Sequence, residues 1–172
     1  IEVAKNALSA KGGLINRSAR LICLENSRSF PESPIGGGPI VRVGDRISVF
    51  SPDLTNTISQ ICQDESKRDP GFKWQRRLMP GGACEATVFA TYGFQSTCLC
   101  LPLGNYHNMA DIDGVTAGDR PARVAREEIA MADFHGMVRM LELVAGRLDR
   151  HQGKIRELLE GLHRDRGFVL ER

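Results

Sequence analysis

Ser96-Thr97-Cys98-Leu99-Cys100-Leu101-Pro102-Leu103 is an almost unbroken apolar run of strand length. Such a run, bounded by turn residues, predicts a strand buried on both faces. Gly104-Asn105-Tyr106-His107-Asn108 ends it. Just upstream, Pro80-Gly81-Gly82 leads into a helix expected over 83–92 and closed by Gly93. A second apolar run, Ala19-Arg20-Leu21-Ile22-Cys23-Leu24, predicts another buried strand that stops at Glu25-Asn26-Ser27.

The remaining elements fall around these two strands. Residues 1–10 read as a helix ended by Lys11-Gly12-Gly13. Residues 30–40 hold three prolines and Gly36-Gly37-Gly38, which marks a loop. Short strands are expected at 40–43 and 47–50, and a helix capped by Thr55 or Asn56 runs to about Ser66. Asp69-Pro70-Gly71 is a turn, and the alternation over 72–78 suits a further strand. Residues 109–120 read as a polar loop, and Pro121 suits the first turn of a long helix. In that region Phe134, Met137, Val138, Leu141, Val144 and Leu148 make an amphipathic stripe, repeated by Ile155, Leu158, Leu159 and Leu162. Strands alternating with helices predict a layered α/β fold with a largely parallel sheet.

Composition narrows the function classes. The chain has 172 residues, 41% of them hydrophobic, which is enough for a core and too apolar for disorder. No run approaches the length of a membrane-spanning helix, and no signal-peptide pattern opens the sequence. A net charge of +2 lacks the basic excess of a nucleic-acid-binding domain. The five cysteines (Cys23, Cys62, Cys84, Cys98 and Cys100) are an odd number with no C-x-x-C pair, so they read as buried reduced thiols of a cytoplasmic protein. Cys98 and Cys100 should share one face of their strand. The first residue is Ile, and residues 1–8 read as the middle of a helix.

Two strand ends carry metal-capable groups: Glu25 after the first apolar run and His107 after the second. Sites in open α/β sheets form at the carboxyl ends of strands, and zinc takes carboxylate oxygen and imidazole nitrogen. Spacing alone makes neither residue a ligand, since a carboxylate or imidazole in such a place is commonly solvated. Gly81-Gly82 before a helix admits a ligand to the backbone, or is a plain tight turn. Gly36-Gly37-Gly38 is not followed by the Lys-Ser/Thr of a phosphate loop, and no Ser-His-Asp set or Gly-x-Ser-x-Gly motif is present. His135, His151 and His163 lie on or near the helical tail and read as surface or interfacial residues.

Four strings in order carry a resemblance: Leu24-Glu25-Asn26-Ser27, Gly37-Gly38-Pro39-Ile40, Pro80-Gly81-Gly82-Ala83-Cys84-Glu85-Ala86 and Pro102-Leu103-Gly104-Asn105-Tyr106-His107. Together they resemble the second half of a co-catalytic zinc aminopeptidase of the glutamyl/deblocking, or tetrahedral, kind, over roughly residues 1–110. The resemblance implies a three-layer, zinc-peptidase-like domain with helices on both faces of a sheet, extended by C-terminal helices over 111–172. It implies Glu25 and His107 as metal ligands, each to a different ion of a zinc pair, and Gly81, Gly82 and Glu85 beside the substrate. Ala83 stands where the family has Thr, and Glu25 where it has Asp.

The family's other ligands and its general base would lie upstream of Ile1. The expectation is therefore an incomplete catalytic domain, part of a metallo-aminopeptidase that cleaves N-terminal peptide bonds with a two-metal-activated water, and inactive alone. The expected partners are a peptide substrate and further copies in a homo-oligomer, with no nucleic acid and no membrane. The alternative is a non-catalytic peptidase-like domain that binds proteins through its C-terminal helices. Residues 120–172 carry 11 Lys/Arg against 9 Asp/Glu, so this tail holds all of the weak net charge.

Overall fold

The computed structural model describes residues 2–7, 13–151 and 155–171. Glu2–Ala7 forms α1, and the expected end of that helix at Lys11-Gly12 lies outside the described residues. Four strands follow: Arg20–Arg28 (β1), Ile40–Gly44 (β2), Gln75–Leu78 (β3) and Gln95–Leu103 (β4). Pro52–Arg68 (α2) lies between β2 and β3, and Glu85–Thr91 (α3) between β3 and β4. Ile112–Ala117 (α4), Met131–Arg147 (α5) and Ile155–Arg166 (α6) complete the described helices.

The sheet order is β1-β4-β2-β3, with β4 central because its eight residues from Ser96 to Leu103 are all buried. β1 pairs parallel with β4 and β3 parallel with β2, but β2 runs antiparallel to β4. The expected largely parallel sheet is thus a mixed one. The pairing register sorts the side chains. Cys23, Glu25, Cys98, Cys100, Ile40 and Arg42 fall on one face, because Cys23 pairs with Cys98, Glu25 and Ile40 with Cys100, and Arg42 with Cys98. That face packs with Cys84 and Ala86 of the α3 region, Phe50 and Met79. The opposite face carries Val41, Leu99 and Leu101 against Leu54, Ile58 and Cys62 of α2 and Met137, Met140 and Val144 of α5. Helices on both faces make three layers, as expected. Cys98 and Cys100 share a face, and all five cysteines are free thiols.

Several local expectations give way to tertiary pairing. The first apolar run does not stop at Glu25, because β1 keeps pairing with β4 as far as Arg28–Leu103, so Glu25 is an interior strand residue. Residues 47–50 contribute one bridge, Val49 to Gly44, rather than a strand, and β3 is shorter than the run at 72–78. α2 starts earlier than Thr55: Pro52 occupies its first turn and the Ser51 hydroxyl accepts the Leu54 N–H at 3.4 Å. Thr55 is instead buried and hydrogen-bonded to Thr97 at 3.0 Å. The polar loop contains α4, capped by the Asp111 side chain and closed by Gly118 at φ +81°.

Pro121 does not begin a helix. Residues 121–130 pair with the segment after β4, with Gly104 N–H to Glu128 C=O at 2.8 Å and Ala125 N–H to Asn108 C=O at 2.9 Å. The helix begins only at Met131. Its buried line is Asp133, Met137, Met140 and Val144, while Phe134 and Val138 are exposed. The stripe is rotated because Asp133 turns inward to accept the Gly36 and Gly38 N–H groups at 2.7 and 2.8 Å. Gly136 fits there because a Cβ would crowd the Pro39 ring at 2.9 Å. On α6, Ile155, Leu158, Leu159 and Leu162 are exposed. No described helix is long and apolar enough to cross a membrane.

Candidate functional site

A cleft of about 640 Å³ opens at the carboxyl end of β1, lined by Glu25, Arg42, Gly81, Gly82, Tyr106 and His107 among others. Four of the five residues singled out from sequence therefore share one cavity. Glu85 does not line it. It sits in the first turn of α3, beside the Glu25 carboxyl, and stays the charged member of the two.

Glu25 is held by Arg42, whose Nη1 lies 2.5 Å from Glu25 Oε2. Arg42 is 3% exposed, so this is a guanidinium inside the protein with a carboxylate as its counter-charge. Burial and the hydrogen bond with Glu85 push the Glu25 carboxyl up to about 7, although Arg42 pulls the other way. Glu85 is held below the ordinary carboxylate range by a bond to its own backbone N–H and by the Glu25 proton.

Behind Glu25 lie two thiols. The Cys84 and Cys98 sulfurs and a Glu25 carboxylate oxygen are all within 4.8 Å of one another. The hydrogen bond from Cys98, together with Arg42 and the backbone N–H groups of Ala86 and Thr87, outweighs burial and holds the Cys84 thiol down at about 7. The same bond and burial raise Cys98. Sequence spacing gave no signal for this cluster, because Cys84 and Cys98 come from a loop and a strand. Only their positions over one sheet face join them.

The loop that carries Gly81, Gly82 and Cys84 is fixed from β2. Asp45 is 3% exposed and accepts the N–H groups of Ile47 at 3.0 Å, Ser48 at 2.9 Å and Cys84 at 3.1 Å, and the Thr87 hydroxyl. Burial raises its carboxyl, but these donors prevail and leave it below the usual range. Gly82 has φ +56° and open space around its Cα, so the backbone faces the cleft unobstructed.

His107 sits on the opposite wall, exposed, in a 3-10 turn over Tyr106–Asn108. Its ring meets Tyr106 edge-on at 4.0 Å between centroids, and its backbone N–H donates to Glu127 Oε1 at 2.9 Å. Asn105, His107, Asn108 and Asp111 all have positive φ, four such non-glycine residues within seven. Left-handed backbone costs free energy for each of these residues, and such strain concentrates at binding sites.

No family model and no curated protein matches the chain. Solved structures do. The TET aminopeptidase of the marine sediment archaeon Thaumarchaeota archaeon SCGC AB-539-E09 superposes with a TM-score of 0.56 at 16% identity, over 75% of this chain and 33% of that one. The fold is similar to that of part of the TET aminopeptidases. The Pyrococcus horikoshii TET1 peptidase, which assembles into a tetrahedron or a large octahedral shell, gives 0.51 at 16% identity over 83% and 36%. An aminopeptidase from Desulfurococcus kamchatkensis gives 0.51 at 15% over 72% and 33%. The chain spans about a third of the length of these structures.

Glu25 and His107 supply the oxygen and nitrogen donors that zinc takes, and both line the cleft. In donor chemistry they fit a zinc centre, but they do not close one. Among the described residues no set of three metal-capable side chains includes His107.

Proposed function

We propose that this chain is part of a zinc-dependent aminopeptidase in which Glu25 and His107 each contribute one ligand to a metal pair held mainly by residues beyond this chain. Zinc bound there would activate water and polarise the scissile carbonyl. Gly81 and Gly82 would receive the peptide backbone, with Glu85 nearby, and Glu25 would bind the metal as the carboxylate, its proton released to solvent. Arg42 would keep Glu25 from turning away when no metal is present. The convergence of Glu25, Gly81, Gly82 and His107 on one cleft carries this reading. By analogy with the Pyrococcus horikoshii TET1 peptidase, the protein would act on peptides as a homo-oligomer, and its free thiols suit a cytoplasmic setting.

With only two ligands, residues 1–172 alone should release no nitroaniline from aminoacyl-nitroanilides. Chelator-sensitive release by the purified chain would overturn the expected inactivity. The coding sequence ahead of Ile1 tests the enzyme reading itself: an Asp, a Glu-Glu pair and a His there support it, and an open reading frame starting at Ile1 removes it. That second outcome favours a protein-binding module, whose specific support is the exposed Ile155, Leu158, Leu159 and Leu162 face of α6.

A further inference from the structure

The sheet face beneath α3 gathers an unusual set of groups. Cys84 arrives from the turn before α3, Cys98 from the central strand and Glu25 from the neighbouring strand. Their donor atoms lie within 4.8 Å of one another. Cys98 is fully buried and Cys84 is 6% exposed, while Glu25 reaches the cleft and gives the cluster its opening to solvent. A hydrophobic core has no need of two thiols and a carboxylate in mutual contact; three apolar side chains would pack there without desolvation cost.

The geometry points to a site for one divalent cation, held by the sulfurs of Cys84 and Cys98 and a carboxylate oxygen of Glu25, with zinc as the fitting ion. Zinc–sulfur bonds of about 2.3 Å set two sulfurs of a tetrahedral site about 3.8 Å apart, so the observed spacing closes on an ion with small side-chain rotations. Two thiolates select a soft or borderline ion over magnesium or calcium. Charge agrees as well. Two thiolates and a carboxylate carry three negative charges and Arg42 one positive, and ionised Glu85 beside them adds another, so the cluster favours a divalent cation. Arg42 already occupies Oε2 of Glu25, so the other oxygen is the one to bind, once it has given up the proton it shares with Glu85. Water entering from the cleft beside Glu25 would complete the coordination. Binding sends the two thiol protons, and the proton on Glu25 where it is present, to solvent. This centre shares Glu25 with the proposed aminopeptidase pair but does not need His107, so the two stand or fall separately.

Cobalt(II) added to the full chain under reducing conditions tests it. One ion should bind per chain, with tetrahedral visible bands and intense sulfur-to-cobalt absorbance in the ultraviolet, and zinc should displace it. Cys84→Ser and Cys98→Ser should each weaken binding at least tenfold and diminish the sulfur band, while His107→Ala leaves both unchanged. Because a core serine can hinder folding, zinc-edge X-ray absorption of the unaltered chain is the second measurement, and it should count two sulfurs around the metal. Absence of binding, a spectrum with nitrogen and oxygen ligands only, or a count of fewer than two sulfurs overturns the proposal. Loss of binding in His107→Ala with no sulfur band would instead be the signature of the aminopeptidase pair.

Discussion

The buried carboxylate of Asp45 accepts the backbone N–H of Cys84 at 3.1 Å, across 39 residues of chain. This bond ties the turn that forms one wall of the cleft to the end of β2. Asp45→Ala would strand that N–H together with those of Ile47 and Ser48. Replacement should cost about 3 kcal/mol, read as a lower urea midpoint with an unchanged slope. It should also speed modification of Cys84 by a thiol reagent. Wild-type stability and reactivity in Asp45→Ala would show that the turn holds itself.

Arg42 and Glu25 should behave as a unit. Arg42→Met leaves a half-buried carboxylate without its counter-charge and should cost about 3 kcal/mol. Adding Glu25→Gln removes the stranded charge, so the double variant should recover part of the loss. A double-mutant cycle that came out additive would mean the pair contributes nothing by contact.

Glu65 joins α2 to α5 through Arg139 at 2.5 Å and Arg147 at 3.0 Å. The Arg139 hydrogen bond, followed by Arg147, outweighs burial and holds the Glu65 carboxyl below its ordinary value. Its folded pKa is therefore lower than its unfolded one. The stabilisation is complete above the unfolded value of about 4.3 and is lost as pH falls through the folded one. Both arginines reach solvent, so Glu65→Gln should cost only about 1–2 kcal/mol at pH 7. In urea titrations the gap between variant and wild type should close in acid, and a pH-independent gap would contradict this.

Two glycines with positive φ should respond differently to alanine. At Gly38, φ is +95° and a Cβ would run into the Lys73 carbonyl oxygen, so Gly38→Ala should cost about 3 kcal/mol or more. At Gly82 the surroundings are open, so only the left-handed backbone penalty applies, about 1 kcal/mol. Thermal unfolding of the two variants checks the contrast, and equal losses would mean that crowding at Gly38 relaxes.

Sequence and tertiary structure divided the work along physical lines. The continuous apolar run of β4 and the glycine before α3 were legible, because burial on both faces and left-handed turns restrict composition locally. The run at β1 also forms a strand, but not the buried one expected: it lies at the sheet edge, with Ser27 buried and Leu24 exposed. The four motif strings also announced the peptidase fold and the residues that meet in the cleft. What the sequence did not hold was the outcome of long-range pairing. Hydrogen bonds to β4 carry β1 past Glu25, and backbone pairing with 104–110 keeps 121–130 extended despite Pro121. Asp133 rotates α5 by bonding the glycine loop nearly a hundred residues away. The Glu25–Cys84–Cys98 cluster is the clearest case. Its members belong to three segments with no spacing rule between them, and only the register of two strands and the seating of α3 over their common face bring a carboxylate and two thiols together.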